Sequence, residues 1–390
     1  MAGDPDLGTY PQALDLTWRV GVTTVPLRSA IGVRGHPGLD PALAVLAEAI
    51  GRERVAPPTV QALDASGGSG AVSALVREVH GRAARLLVQS AAVRRAALSG
   101  AIPSDALVPA HPWDLAVHGE SEVWWRPASD RGWARLLSEL DAWSRVLRSD
   151  GRLVCVWHKD EGAKRAERAA AERFASVEVR TRSGGWRVVE LRRPTPGTEP
   201  ASPWRTWTGP TGPMRTLVGT FSAGALDAGT RALLQALEAP DAHVDLAGAR
   251  VLDLGCGSGV LAAWAVRAGA AAVHALDDDL SAVRSCEALA AGMPQLRVGW
   301  SDLTLDAPDA RGLDVVVTNP PFHVGRQVVG ALSEAFVRAA AGALRPGGRL
   351  WLVANAALPF DRLLSGWQQL RDVTPAGVRA YRVFSAVRGS

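Results

Sequence analysis

Four residues, Asn319-Pro320-Pro321-Phe322, follow an apolar run, Val315-Val316-Val317-Thr318, in a combination suited to chemistry on a planar amine. The nitrogen of an exocyclic NH2 group is a poor nucleophile because its lone pair is delocalised into the ring. Acceptors on its N–H groups favour a more pyramidal nitrogen and stabilise the positive charge that grows as it attacks a sulfonium methyl group. The side-chain oxygen of Asn319 and the carbonyl of Pro320 are two such acceptors. Pro320 and Pro321 stiffen the loop, and Phe322 supplies a ring face on which a base can stack. No metal or covalent intermediate is required: holding the reactants in line provides much of the acceleration once the base is unstacked. Two prolines after a strand more often make a rigid turn than a site, so the reading depends on what lies upstream.

Upstream stands a glycine turn, Asp253-Leu254-Gly255-Cys256-Gly257-Ser258-Gly259. Its glycines let the backbone turn sharply and approach a ligand closely, with helix N-terminal amides pointing at the ligand's negative end. A nicotinamide enzyme would carry its third glycine at position 260, which is Val260, so the spacing disfavours a dinucleotide. Next comes Asp277-Asp278-Asp279, which begins 277 − 253 = 24 residues after Asp253. An acid at that strand end accepts hydrogen bonds from both hydroxyls of a ribose. Asp277 is the favoured ribose ligand, and Asp279 is free to cap the following helix. Asp302 falls where an adenine amino group would lie. The expected cofactor contacts are Asp253, Gly255, Cys256, Gly257, Gly259, Asp277, Asp278 and Asp302, with Asn319 common to this set and the catalytic one.

The elements that must position these residues read as a doubly wound α/β sheet. Apolar runs at Arg250 to Leu254, Val273 to Leu276, Leu296 to Trp300, Asp314 to Thr318 and Arg349 to Val353 alternate with helical patterns. The helices read as Ala228 to Leu237, Leu261 to Ala268, Leu280 to Ala290, Gln327 to Leu344 and Asp361 to Leu370. A last apolar segment, Val378 to Val387, reads as a closing edge strand. Between Arg192 and Thr216 a cluster of prolines and glycines breaks any helical or strand period. The expected organisation is a first domain over 1–195, a linker over 196–216 and a catalytic domain over 217–390.

Two internal echoes link the halves. Leu147-Arg148-Ser149-Asp150-Gly151-Arg152-Leu153 repeats as Leu344-Arg345-Pro346-Gly347-Gly348-Arg349-Leu350, and Leu63 to Gly70 repeats as Leu252 to Gly259. Their order and nearly equal offsets point to duplication. The first copy has lost the chemistry: Ser66 stands in place of Gly255, Val88 in place of Asp277, and the counterpart of Asn319 to Phe322 is expected near His118-Gly119-Glu120-Ser121. The first half is therefore a degenerate domain for folding, substrate docking or both, its eight tryptophans read mainly as core.

Composition bounds the partners. The 390 residues are 47% hydrophobic and 21% charged, as expected of a folded globular chain. Arginine supplies nearly all of the net charge of +4, since Lys159 and Lys164 are the only lysines. That balance tolerates a nucleic-acid partner, although coding bias explains it equally well. Cys155, Cys256 and Cys286 lack the paired spacing of zinc sites, so reduced thiols and no metal are expected. With no bilayer-length apolar run and no signal-like start, a cytoplasmic protein without membrane contact is expected.

The chain resembles the bacterial ribosomal RNA guanine-N2 methyltransferases, the small-subunit (16S) enzymes in particular. The matching residues are Gly219-Thr220-Phe221-Ser222 with Leu226-Asp227-Ala228-Gly229, then Val251 to Leu261, then Val317 to Gly325, and Leu344 to Asn355 followed by Leu358-Pro359-Phe360. The resemblance covers roughly Gly219 to Val387, and more loosely Gly151 to Lys164 and Trp186 to Val189 in the first half. It implies two tandem Rossmann-like class I methyltransferase domains, only the second of which binds S-adenosylmethionine and releases S-adenosylhomocysteine. It further implies that Asp253, Gly255, Gly257 and Gly259 contact the methionine portion, Asp277 the ribose and Asp302 the adenine, while Asn319 to Phe322 hold a guanine of 16S RNA. Phe221, Ser222 and Asp227 line the cofactor pocket in the family, and His323 reads as a loop-structuring residue. The implied partner is ribosomal RNA or the 30S subunit or its assembly intermediate, and a monomer is favoured. Adenine-N6 and protein glutamine methyltransferases share the Asn-Pro-Pro-aromatic loop, and a noncatalytic RNA-binding assembly protein is the reading of a different class.

Overall fold

The computed structural model describes residues 14–389 except 31–32, 37, 53–59, 69, 101, 196–201, 223, 243, 304–309 and 322–324, and the backbone alone of 325–331. The chain divides into two compact units, one spanning Ala13–Pro203 and the other holding Trp204–Ser390.

In the first unit a hairpin, β1 (Leu14–Val20) and β2 (Thr23–Ser29), precedes α1 (Pro41–Arg52). Then come β3 (Ala62–Ala65), α2 (Ala71–His80), β4 (Ala84–Leu87), α3 (Ala91–Leu98), β5 (Leu107–Val108) and β6 (Glu120–Trp125). The unit ends with α4 (Trp133–Val146), β7 (Leu147–His158), α5 (Ala163–Ala171), β8 (Phe174–Ser183) and β9 (Trp186–Pro194). The second unit repeats this plan: hairpin β10 (Trp204–Gly209) and β11 (Gly212–Leu217), α6 (Ala228–Leu237), β12 (Arg250–Leu254), α7 (Val260–Arg267), β13 (Ala272–Asp277) and α8 (Leu280–Ala290). It continues through β14 (Leu296–Trp300), β15 (Leu313–Thr318), α9 (Gly325–Ala343), β16 (Leu344–Asn355), α10 (Phe360–Leu363), β17 (Gln368–Asp372) and β18 (Tyr381–Val387).

Each unit carries a seven-stranded sheet, in the order β5-β4-β3-β6-β7-β9-β8 and β14-β13-β12-β15-β16-β18-β17. The two orders are the same topology. The first five strands of each pair in parallel and the last two antiparallel. Parallel strands are covered on both faces, which is why Val251-Leu252-Asp253-Leu254 and Val315-Val316-Val317-Thr318 are continuous buried runs rather than alternating ones. The repeat noted in sequence extends to burial, since β7 and β16, each 12 residues long, share one pattern of buried and exposed positions. The duplication is therefore structural, and the α/β reading of both halves holds.

Three local readings are corrected. The Pro/Gly-rich stretch expected as a linker over 196–216 holds the β10–β11 hairpin, whose residues 204–217 pack with the second unit. Its prolines are tolerated because a two-stranded ribbon leaves N–H positions unpaired, and its glycines make the turn. The Leu217 N–H donates to Ser285 Oγ on α8 at 2.9 Å, which fastens the hairpin to the sheet's helical cover. The helix expected over Asp361 to Leu370 is only α10, followed by strand β17. The segment expected as the closing edge, β18, instead lies inside the sheet between β16 and β17. β18 is buried along most of its length, whereas the short polar Gln368-Gln369-Leu370-Arg371-Asp372 takes the exposed edge.

Of the first half's eight tryptophans, Trp18, Trp124, Trp125, Trp143 and Trp157 are buried. Trp113, Trp133 and Trp186 lie under the guanidinium groups of Arg135, Arg165 and Arg126, at 4.6, 3.8 and 4.8 Å from the ring centroids. They are occupied within their own unit, as the core reading expected.

Candidate active site

In an open, mostly parallel sheet a ligand crevice forms where neighbouring strands send their connections to opposite sides. In the second unit that point is β12, which has β13 on one side and β15 on the other. Leu254 and Thr318 are register partners, so the glycine turn and Asn319 leave the sheet side by side. The buried Thr318 hydroxyl donates to the Leu254 carbonyl at 2.7 Å and ties the two strand ends together. The Gly255 and Cys256 N–H groups both donate to the Leu276 carbonyl, at 2.9 and 3.0 Å, which anchors the turn on β13.

All three glycines of the turn have positive φ, at +76° for Gly255, +54° for Gly257 and +84° for Gly259. Their surroundings differ. A Cβ on Gly257 would meet nothing within 4 Å, so its face is open to a ligand. A Cβ on Gly259 would come within 2.7 Å of Cys286 Sγ, so this glycine lets α8 pack against the start of α7.

Two acids support the turn. Asp277 accepts from the Gly257 N–H at 2.8 Å through Oδ2 and from the Asp279 N–H at 2.9 Å through Oδ1. Asp253 is buried beneath the turn and accepts from the Ala262 N–H at 2.9 Å through Oδ2. Its Oδ1 is buried without a partner. Burial raises the Asp253 carboxyl to about 7, against the pull of the Ala262 N–H and with a further push from Asp277. Its counterpart in the first unit is Asp64, which accepts from the backbone and hydroxyl of both Ser66 and Ser73. Gly255 and Ala262 stand where those serines do; with no hydroxyl at either and the Gly255 N–H turned to the Leu276 carbonyl, one oxygen of Asp253 is left without a partner.

Asn319 lies across the cleft from the turn. Its Nδ2 donates to Asp227 Oδ2 and to Thr230 Oγ1, both at 3.0 Å, and its Oδ1 is buried without a partner. Asp227 caps α6, accepting from the Thr230 N–H at 3.0 Å. Tyr381 closes against it from β18: a Cβ on Gly229 would meet Asp227 Oδ2 and Tyr381 Cε1, each at 3.0 Å. Burial and the Asp227 charge raise the Tyr381 hydroxyl above its ordinary value.

The cleft between these elements is open, with about 410 Å3 of empty space counted out into the solvent at its mouth. Gly255, Cys256, Gly257 and Asn319 line it, together with Phe221, Ser222, Asp227 and Thr230. Asp277 joins through Gly257, and Asp253 lies buried under the turn. Gly259, Asp278 and Asp302 are not among its lining residues; Gly259 faces α8, and Asp279 caps that helix by accepting from the Ser281 N–H at 3.0 Å. Pro320 is buried, Pro321 is exposed, and Phe322 and His323 lie outside the described residues. Thr230 was not recognised in sequence, because a threonine one turn into a helix has no signal of its own. Phe221 exposes half its ring at the cleft, beside Ser222 with φ at +54°, a conformation uncommon for a non-glycine residue.

The counterpart of Asn319 also requires correction. Leu254 pairs with Thr318 as Ala65 pairs with Trp125, so Asn319 to Phe322 correspond to Arg126-Pro127-Ala128-Ser129, and His118 to Ser121 fall at the beginning of β6. Strand register defines equivalence, whereas counting along the chain accumulates differences in loop length.

Residues 212–384 match the family model described as the methyltransferase small domain. The whole chain is similar to the T. thermophilus 16S rRNA N2 G1207 methyltransferase, solved in complex with AdoMet and guanosine: TM-score 0.82, 29% identity, 97% of this chain and 98% of that one. It is also similar to the ribosomal RNA small subunit methyltransferase C of Chromohalobacter salexigens, 42% identical over 172 residues. The second unit thus carries a methyltransferase small domain, and the chain resembles the ribosomal RNA small-subunit methyltransferases. The Chromohalobacter match covers 44% of this chain and 50% of that protein. The Streptomyces coelicolor ribosomal RNA large subunit methyltransferase G is 36% identical over 185 residues, 45% of this chain and 46% of that protein. The chain thus spans about half the length of the curated relatives it matches.

The residues present fit S-adenosylmethionine, the AdoMet bound in the T. thermophilus enzyme. The open face of Gly257 admits close approach, the Asp277 carboxylate stands beside it, and the unpartnered Asp253 oxygen lies beneath the turn.

Proposed function

We propose that this chain methylates the exocyclic N2 amine of a guanine in 16S ribosomal RNA, with S-adenosylmethionine as donor. The observation that carries the reading is the Asn319 amide: its Nδ2 is engaged by Asp227 and Thr230, and its oxygen is buried without a partner on a residue that lines the cleft. A buried acceptor without a partner is costly unless a ligand satisfies it. The N–H of an aromatic amine is such a ligand, and bonding it there raises the nucleophilicity of the nitrogen.

The remaining residues bind and orient. Gly255 and Gly257 bring backbone against the cofactor, Asp277 accepts from its ribose, and Cys256 walls the cleft. Asp253 supports the turn from below and offers its free oxygen to the cationic end of the amino acid portion. Pro320 contributes the second acceptor for the amine, and Pro321 and Phe322 continue the base-binding loop. When bound, S-adenosylmethionine supplies an electrophilic methyl on sulfur, and no protein nucleophile is required. Asp278 and Asp302 remain proposals for the cofactor's ribose and adenine.

The first unit, 1–195 in the sequence reading, acts as a noncatalytic partner of the catalytic unit. In place of the Asn319 cluster it holds Arg126 paired with Asp40 and Glu161. The substrate is ribosomal RNA, either free or within a 30S subunit or assembly intermediate, encountered by a monomer in the cytoplasm. Among the described residues no helix is long and apolar enough to cross a membrane.

The test is transfer of labelled methyl from S-adenosylmethionine to 16S RNA and to 30S subunits, followed by digestion to nucleosides and mass spectrometry. N2-methylguanosine is expected. N6-methyladenosine would move the assignment to the adenine enzymes, and label in protein alone would overturn an RNA substrate.

A further inference from the structure

We propose that Asp227 is the positioning residue that decides which end of the Asn319 amide faces the cleft, with Thr230 as an auxiliary. The inference rests on the amine-methylation reading and deepens it, because an amide is useful there only with its oxygen toward the substrate. Rotated by half a turn, the same side chain would present N–H groups to an incoming N–H group.

The two partners of Asn319 Nδ2 differ in what they can enforce. The Thr230 hydroxyl both donates and accepts, so it is satisfied by either end of the amide. A carboxylate only accepts. Asp227 Oδ2, at 3.0 Å from Nδ2, bonds the NH2 end and repels the carbonyl end. It is also held in place, since the same oxygen caps α6 through the Thr230 N–H, and Tyr381 closes over it in the space left by Gly229. The negative charge behind the NH2 group further polarises the amide and strengthens its oxygen as an acceptor. The first unit provides the contrast. Its α1 keeps an acid at the same place, Asp40, which accepts from the Ala42 N–H at 2.9 Å, but the group facing it is the Arg126 guanidinium. The acid persists as a cap in both units, and only the second sets it against an amide.

The experiment separates positioning from capping. Asp227→Asn retains a capping side chain of equal quality but removes the charge, which weakens the repulsion that excludes the flipped amide of Asn319. Single-turnover methyl transfer to whichever RNA the wild type modifies is measured at saturating donor, alongside the Kd of S-adenosylhomocysteine and the Tm. Asp227→Asn is expected to lose about 10-fold or more in rate, on the scale seen when one preorganised hydrogen bond is lost. Product affinity is expected to change less than about 2-fold. The reciprocal exchange sharpens the test. Asn319→Asp alone sets two carboxylates against each other, whereas Asn319→Asp with Asp227→Asn restores a donor facing an acceptor. The double variant is expected to exceed the single one by at least about 5-fold, a coupling typical of residues in contact. A wild-type rate in Asp227→Asn, a rate loss that only follows lost stability or affinity, or a double variant no faster than Asn319→Asp would each overturn the inference. Absence of N2-methylguanosine from the wild-type reaction would instead remove the function on which it rests.

Discussion

Asn319 and Arg126 occupy equivalent places in the two units, each directly after the strand beside the first central one, and each bonds the aspartate that caps the first helix of its unit. Asn319 Nδ2 lies 3.0 Å from Asp227 Oδ2, and Arg126 Nε lies 3.3 Å from Asp40 Oδ2. One side chain leaves an oxygen open. The other has no acceptor to offer and uses further donors on Glu161, at 2.7 and 2.9 Å, and on the Pro127 carbonyl, at 3.2 Å.

Asn319→Ala is expected to lower the single-turnover rate by about 100-fold or more while leaving cofactor affinity nearly unchanged, because it removes an acceptor used mainly in the transition state. Rapid-quench kinetics with calorimetry of S-adenosylhomocysteine binding check this. Loss of binding in the variant would make Asn319 a cofactor-pocket residue instead.

Two glycine substitutions should separate ligand approach from packing. Gly257→Ala places a methyl in open space beside the cleft at φ +54°, so its folding cost is about 1 kcal/mol and its main effect falls on cofactor affinity. Gly259→Ala forces a methyl to 2.7 Å from Cys286 Sγ, so it should lower Tm, by about 2–3 kcal/mol of stability. Thermal unfolding and equilibrium binding of both variants are the measurements, and the reverse ranking would contradict the assignment.

Asp253 should impose a pH dependence on the free protein. Its native carboxyl is raised from 3.8 to about 7, so the native state binds this proton more tightly than the unfolded chain does. The associated stability is complete below the unfolded value and is lost as pH rises through about 7. Tm of the free protein should therefore decline from about pH 5 to about pH 8, and Asp253→Asn should flatten that decline. Parallel curves for the two proteins would place the titration elsewhere.

Arg126→Ala should destabilise the first unit, since it leaves the buried Asp40 carboxylate with only the more distant Arg34, at 4.0 Å, and frees Glu161. Breaking a buried charge pair from one side costs about 3 kcal/mol, less here because Glu161 is partly exposed. Chemical denaturation should show the loss, while single-turnover transfer per folded molecule stays within about 2-fold of wild type.

Several strands and helices were legible in the sequence because each carries its own local signal: β12, α6, α8 and β14 match their expected bounds, being short apolar-containing runs or helically periodic segments between breaks. The site was legible where chemistry needs a residue type in a fixed local order, as in Gly255 to Gly259 and Asn319 to Pro321. The hairpin at 204–217 was hidden, because prolines and glycines obscure a ribbon's alternation, and the order of β17 and β18 was hidden, because pairing partners are chosen by burial across the whole sheet. Most of what makes the site selective was hidden too. The Asp227, Thr230 and Asn319 cluster joins residues 92 and 89 positions apart. The first unit's matching Arg126 could be found only through strand register. Residue identity states which groups are available, but which lone pair is left open depends on distances between side chains carried by different elements, and only the packed fold specifies those.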